Sequence, residues 1–230
     1  MIEYDVLIGG KSMLDEYGLK MESYNVGMPT PIMQLVEVTG TSNIVDLTEL
    51  FGDVQYEQRP LNIVLSTEAG YAAWQALLSE VAGYLHGQRM QIIFGTDVAF
   101  YYDARIAINY DKSDIVFGTI VLNGTTMPYK KEVENADGLW LWDPFSFVDG
   151  IIRNYADITS PDSVTIIGRR EKVVPIFTCS AAMTVTYDSV TYNLASGVNA
   201  VYALALGEGE HVLTFAGAGT VSVAYRGGAL

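Results

Sequence analysis

Apolar and polar residues alternate along most of this chain, the period of two expected of strands that are covered on one side. Ile2, Tyr4, Val6 and Ile8 alternate with Glu3, Asp5 and Leu7, and Gly9-Gly10 ends the run. Similar runs occupy residues 17–24, 34–39, 55–65, 90–94, 98–109 and 115–121, with Gly, Asn, Asp and Pro between them. That spacing predicts antiparallel sheet. A different period interrupts it in the first part of the chain: Tyr71, Trp74, Leu78, Val81 and Leu85 recur at steps of three and four. They predict one long amphipathic helix over 68–86, with Ser66 or Thr67 as N-cap and Gly87 as the stop.

Between Asn123 and Gly138 the alternation lapses into Asn-Gly-Thr-Thr, a proline and the mixed-charge run Lys130 to Asn135. A domain boundary is expected there, giving a first domain of residues 1–130 and a second of 131–230. Asp143-Pro144 then has the form of an N-cap followed by a first-turn proline, and Phe145, Val148, Ile151, Ile152 and Tyr155 continue it as a helical stripe. From Ser163 to Tyr225 the pattern returns to strands with tight turns at Tyr187-Asp188-Ser189-Val190 and Ala195-Ser196-Gly197. The second domain therefore reads as a β-sandwich. The predicted fold class is mainly β with a minor α component: an antiparallel β domain with one long helix, then the sandwich.

Charge narrows the function. The 230 residues carry 27 acidic and 13 basic side chains, a formal net charge of -14. The excess falls on both predicted domains, -9 over residues 1–130 and -5 over 131–230. Such a chain repels phosphate backbones, so no nucleic-acid partner is expected. No apolar run approaches the roughly 18 residues of a membrane span, and Glu3 and Asp5 stand where a secretion signal would be basic. Membrane insertion and Sec targeting are not expected. Cys179 is the single cysteine, so no internal disulfide forms.

A search for chemistry finds little grammar. His86 and His211 fall in different predicted domains and in no metal-ligand spacing. Cys179, in Phe177-Thr178-Cys179-Ser180, has no glycine elbow or nearby histidine base. Gly207-Glu208-Gly209 and Gly217-Ala218-Gly219 lie between β runs, which favours hairpin turns over phosphate cradles. Paired carboxylates of a glycosidase are compatible with so acidic a chain, but the sequence singles out no pair. Trp140 and Trp142 either stack on a sugar or staple the start of the predicted helix at 143. The expectation is a protein without cofactor, metal or enzymatic activity.

Several ordered fragments carry a resemblance. Residues 4–19 begin Tyr4-Asp5-Val6-Leu7-Ile8-Gly9-Gly10-Lys11-Ser12 and close with Leu14-Asp15-Glu16-Tyr17-Gly18-Leu19. Met28-Pro29-Thr30-Pro31, Val36 to Gly40, Val45 to Glu49 and Val54 to Leu61 follow in order, and the chain closes with Gly217 to Leu230. Together they resemble the distal tail proteins of long-tailed, non-contractile bacteriophages and prophages, whose closing strand has the form GxGxVxVxYRxGxL. Thr41-Ser42-Asn43 departs from the charged or glycine-rich turn common at that place. The length leaves no room for the carbohydrate-binding modules inserted in larger relatives.

The resemblance implies a virion protein at the distal tail tip, a hexameric ring acting as a baseplate hub. Its partners would be the tail tube protein on one side and a tail-associated lysin or tail spike on the other, with receptor-binding proteins as further partners. It also implies that the first domain forms the ring and that the second is galectin-like and faces outward as a docking platform. From the residues themselves, the segment Tyr24 to Met33 is the candidate arm reaching a neighbouring subunit, since Met28, Pro29, Pro31, Ile32 and Met33 would be costly to expose. A loop folded back on its own domain is the alternative. Arg59, at the head of the apolar run Leu61 to Leu65, is expected to pair with an acid between Asp46 and Glu57 or on a neighbour's edge, or else to lie solvated at a strand edge. A module contacting host cell-wall sugars is the other function class open to such a β protein, and an esterase or glycosidase is a third.

Overall fold

In the computed structural model of the chain, residues 4–40, 42–50, 52–112, 115–133 and 155–230 are described. They form antiparallel sheets with two helices, a mainly β fold as predicted. The chain divides into two units: residues 1–96 and 102–128 with Leu230, and residues 97–101 with 129–229. The helix expected from Asp143 lies outside the described residues, as do Trp140 and Trp142.

The first unit begins with β1 (Val6–Ile8), β2 (Lys11–Ser12) and a five-residue helix α1 (Met13–Tyr17) that the periodicity does not predict. Local hydrogen bonds account for it. The Ser12 hydroxyl accepts from the Asp15 N–H at 3.0 Å as N-cap, and the Asp5 carboxylate accepts from the Ser12 hydroxyl at 2.8 Å and the Val6 N–H at 2.8 Å. Gly18, at φ 63°, closes the helix in the left-handed region, with Gly18 N–H on Leu14 O and Leu19 N–H on Met13 O. Strand β3 (Lys20–Val26) follows, so the strand expected at 17–24 starts three residues later.

After β4 (Leu35–Glu37) and β5 (Ile44–Asp46), β6 (Arg59–Thr67) enters the main sheet. It leads to α2 (Tyr71–Leu85), then β7 (Arg89–Phe94), β8 (Asp97–Asp111) and β9 (Gly118–Thr126). The sheet order is β2-β1-β7-β8-β9-β6-β3. Trp74, Leu78, Val81 and Leu85 form the buried stripe of α2, packed with Ile8, Ile63, Leu65, Ile92, Ile120 and Leu122 from the sheet. Each such side chain contributes about 1.5–3 kcal/mol. The N-cap is Gly70, not Ser66 or Thr67, because those two are held in the β6–β9 ladder opposite Thr119 and Gly118. Asn123-Gly124-Thr125-Thr126, a lapse in the hydrophobic pattern, is the second half of β9. A Cβ at Gly124 would strike the carbonyl of Arg105 on β8, so glycine there permits close strand pairing and does not mark a turn.

In the second unit, residues 97–101 of β8 pair with β10 (Lys130–Glu132), which also pairs with β17 (Gly228–Ala229). Between them come β11 (Ile158–Gly168), β12 (Ile176–Cys179), β13 (Met183–Tyr187), β14 (Val190–Leu194), β15 (Gly197–Ala200) and the sixteen-residue β16 (Gly209–Ala224). Strand β16 organises the six-stranded sheet: β11 pairs along one edge of it, while its other edge pairs first with β13 and then with β12. The change of partner falls at Gly217 and Gly219, both at positive φ. These glycines sit inside a strand instead of the expected hairpin turn. A Cβ on Gly217 would lie 2.9 Å from Cβ of Met183, and one on Gly219 would strike the Ser180 hydroxyl. The predicted turn at 187–190 is present, with Asp188 and Ser189 at φ 48° and 64°, the geometry of a two-residue hairpin. One core collects Leu213, Phe215, Val221 and Val223 from both halves of β16, with Tyr225 just beyond the strand.

Gly118 abuts the buried Trp74 so closely that a Cβ would overlap the indole ring. Gly118→Ala should therefore lower unfolding stability by about 1–3 kcal/mol, the cost of overpacking, read by denaturant melts followed through tryptophan fluorescence.

Candidate functional site

Residues 27–58 leave the main sheet of the first unit as a hairpin arm. Its root is tied where Gly27 N–H donates to Pro60 O at 3.0 Å. The two legs then pair through Glu57 N–H on Thr30 O at 2.8 Å, Ile32 N–H on Gln55 O at 2.8 Å, and a Pro31–Tyr56 bridge. Further out, Leu47 N–H donates to Gln34 O at 2.8 Å, the β4–β5 ladder runs from Leu35/Asp46 to Glu37/Ile44, and Val38 N–H reaches Asn43 O. The candidate segment at 24–33 is thus one leg of a longer two-stranded arm, and Tyr24 belongs to β3, stacked on Phe94 at 4.1 Å.

Along the arm the apolar side chains face water. Met28 is 78% exposed, Met33 63%, Ile44 60% and Leu50 61%, and Ile32, Leu35, Val36 and Val45 are exposed as well. Pro29 is the exception among the candidates: it is buried at the root, while Pro31 is exposed. A cleft of about 560 Å³ opens between the legs, lined by Pro31, Met33, Leu47, Leu50 and Val54 with Asp46 and Glu49 on its rim. From Gly27 to Gln58 the arm carries five acids and no lysine or arginine. The Thr48 hydroxyl and its backbone N–H, the latter 2.9 Å from the carboxylate, hold Asp46 below the ordinary carboxylate range.

Arg59 stands where the arm rejoins the sheet, and within the single chain it is neither solvated nor paired with the nearby acids. It is 2% exposed and thus not a solvated edge residue, and no acid between Asp46 and Glu57 reaches it. Its Nε donates to Pro128 O at 2.7 Å, its guanidinium lies 5.5 Å from the centre of the Tyr102 ring, and Nη2 has no hydrogen-bond partner. Burial pulls its pKa below the usual arginine value. The partners are a carbonyl and an aromatic face, both remote in sequence.

A second exposed apolar group follows β8. The Lys112 ammonium donates to the carbonyls of Ala69 at 2.7 Å, Phe117 at 3.0 Å and Val116 at 3.1 Å, and lies 5.4 and 5.5 Å from the Tyr71 and Trp74 rings. It fixes a turn that exposes Ile115, Val116 and Phe117.

The residues weighed for catalysis have other duties. His86 caps α2, and its Nδ1 accepts from the Ile108 N–H at 3.2 Å. His211 has Nε2 2.9 Å from Gly207 O, which only accepts, so Nε2 carries the proton and Nδ1, 2.8 Å away, takes the Tyr187 hydroxyl proton when the ring is neutral. Cys179 is buried and its thiol pKa is raised by that burial. Among the described residues no three His, Cys, Asp or Glu converge as metal ligands, and no helix is long and apolar enough to cross a membrane. Tyr202 is the one large exposed aromatic of the second unit's described residues. In that unit the glycines of the closing motif support an ionic cluster: Arg169 Nε meets Glu132 at 2.6 Å, Lys131 meets Glu171 at 3.1 Å, and the Gly227 N–H donates to Glu132 at 3.2 Å. The sequence does not signal this cluster, whose members come together only through the β10–β17 pairing.

No protein-family model matches the chain, and no curated protein does. Among solved structures, the chain is similar in fold to SPP1 Dit (gp 19.1), described as a paradigm of the hub adsorption apparatus in phages infecting Gram-positive hosts. The TM-score is 0.64 with 11% sequence identity, over 98% of this chain and 99% of that one.

Arg59 tests the energetics of the arm's root. Arg59→Met should change stability by less than about 1.5 kcal/mol, since it removes a buried charge lacking an acidic partner at the cost of one hydrogen bond. Arg59→Ala, which also leaves a cavity, should cost about 2–4 kcal/mol. Urea unfolding of both variants measures the difference, and equal losses would point to the charge itself as the stabilising element.

Proposed function

We propose that the chain is a structural subunit of a bacteriophage tail: a ring-shaped hub at the distal end of a long non-contractile tail, joining the tail tube to the host-adsorption apparatus. The observation that supports this reading best is the end-to-end likeness to SPP1 Dit, which spans both units with almost no unmatched chain. Likeness in fold at 11% identity gives no function by itself. The exposed arm adds a reason specific to this chain, because a two-stranded projection with bare methionine, leucine and isoleucine side chains is costly unless another surface covers it.

In this reading six copies close a ring through their first units by a repeated head-to-tail contact, in which one subunit's arm lies on the next. Met28, Pro31, Ile32 and Met33 supply the apolar contact, and Pro29 and Arg59, buried in the single chain, fix the direction in which the arm leaves. The tail tube protein stacks on one face of the ring and a tail-associated lysin or spike on the other. The second unit serves as a galectin-like platform for receptor-binding proteins. A ring of this kind requires neither cofactor nor catalysis.

Light scattering at near-physiological salt should give the mass of a hexamer or a multiple of it. Met33→Ser combined with Ile44→Ser should weaken association at least tenfold, about 1.4 kcal/mol, while leaving the unfolding midpoint of the subunit unchanged. A chain that stays monomeric at high concentration, with no rings in micrographs of assembled tails, defeats the hub reading. Separately, assays against peptidoglycan, esters and glycosides should be blank. Turnover abolished by a single Asp or Glu substitution would make the chain an enzyme instead.

A further inference from the structure

The first unit has a second cleft, of about 910 Å³ and larger than the one in the arm, at the end of the main sheet where β3 begins and β6 runs out. There Lys20 pairs with Ser66, Ser66 with Thr119, and Thr67 with Gly118. Two aromatic side chains from distant parts of the chain stand in the lining, Tyr4 at 42% and Phe117 at 55% exposure. Backbone contacts hold both: Tyr4 O accepts from the Met21 N–H at 2.9 Å, and Phe117 O accepts from the Lys112 ammonium at 3.0 Å. Aromatic groups fixed in this way lose little freedom when a ligand covers them.

The polar lining is one-sided. The Lys20 ammonium lies 4.8 Å from the centre of the Tyr4 ring, and so takes the place over that ring that a ligand's cation would need. Glu22 sits at the register break between Met21 and Ser23, and Glu68 lies just past β6. Both are exposed, and among the described residues neither carboxylate has a hydrogen-bond or ion-pair partner. Ser66 and Thr67 add hydroxyls. The cleft therefore offers flat apolar surface and an excess of acceptors over donors.

Those features select a ligand. It must turn an apolar face to the aromatic rings and donate several hydrogen bonds to carboxylates, which hold hydroxyl groups by the stronger, charge-assisted kind of bond. A pyranose does both, because its C–H groups make a flat face and its hydroxyls line the rim. Charge decides which pyranose. Glu22 and Glu68, on a chain of net charge -14, repel uronates and phosphate-bearing sugars, while Lys20 repels a cationic peptide side chain. The volume stands near the upper end for small-ligand sites and suits several linked rings.

We infer that this cleft binds a neutral oligosaccharide, with pyranose rings stacked on Tyr4 and Phe117 and hydroxyls donating to Glu22 and Glu68. The site is complete within one chain, so the inference does not rest on the hub reading. An open cleft with few partners binds weakly, with a dissociation constant on the order of 1 mM for a single site.

Saturation-transfer NMR on the full chain tests this, with cellohexaose, maltohexaose and chitohexaose as neutral probes, oligogalacturonate as the anionic one and trilysine as a competitor. At least one neutral probe should receive saturation, oligogalacturonate should receive none, and trilysine should not displace the neutral probe. Tyr4→Ala and Phe117→Ala should each raise the dissociation constant at least about tenfold with the unfolding midpoint unchanged, and Glu22→Gln with Glu68→Gln should raise it as well. Tyr202→Ala, on the exposed aromatic of the second unit, should bind as the wild type does. No saturation of any neutral probe at about 5 mM overturns the inference, as does binding that is lost in Tyr202→Ala and kept in the cleft variants. Equal binding of oligogalacturonate, or displacement by trilysine, would make the cleft a site for a charged partner instead. A chain that binds a neutral probe but stays monomeric defeats the hub reading alone, and a chain that forms rings but binds no probe defeats this inference alone.

Discussion

A sheet with one apolar face must have that face covered, and this constraint shapes both units of the protein. In the first, α2 supplies the cover. Its stripe at Trp74, Leu78, Val81 and Leu85 meets residues from β1, β6, β7 and β9, so most of the main sheet is aligned on one helix. In the second, the described residues supply the cover from the sheet itself: β16 passes from β13 to β12 at two glycines, and both halves face a single core. A side chain at either glycine would collide with the Met183 or Ser180 region at the place where the partner changes.

With both cores satisfied internally, the arm stands out. Its legs are held by backbone hydrogen bonds, while many of its apolar side chains stay exposed in the single chain. Protein interiors and solvated hairpins are both common; a long hairpin with exposed methionine, leucine, isoleucine and valine on both legs is unusual unless a partner surface covers it. In the proposed hub, function lies in surfaces and edges. The histidines and the cysteine fit that picture, each committed to a cap, a hydrogen-bond pair or a core position.

Arg59 shows how burial rearranges a reasonable local expectation. A cation ahead of an apolar strand ordinarily takes a nearby acid or stays in water. The fold instead brings Pro128 O and Tyr102 to it, across a separation of 69 residues in the first case. Its fixed guanidinium ties the root of the arm to the end of β9, and so couples the arm's direction to the main sheet.

The sequence by itself determined what depends on short-range periodicity and turn chemistry. Alternation marks most strands, steps of three and four mark α2, and Asp188-Ser189 marks a hairpin, because each is set by neighbours within a few residues. The ordered fragments at both ends point to a tail-protein fold, which the full-length likeness to SPP1 Dit supports. Helix α1 escapes the pattern because five residues held by a cap and a glycine give no periodic signal. Gly124, Gly217 and Gly219 mislead because a glycine required by a neighbouring strand looks, in sequence, like a glycine required by a turn. The arm's second leg and the burial of Pro29 and Arg59 belong to tertiary structure alone. Each depends on which distant backbone lies alongside, and hydrophobic pattern carries no information about that.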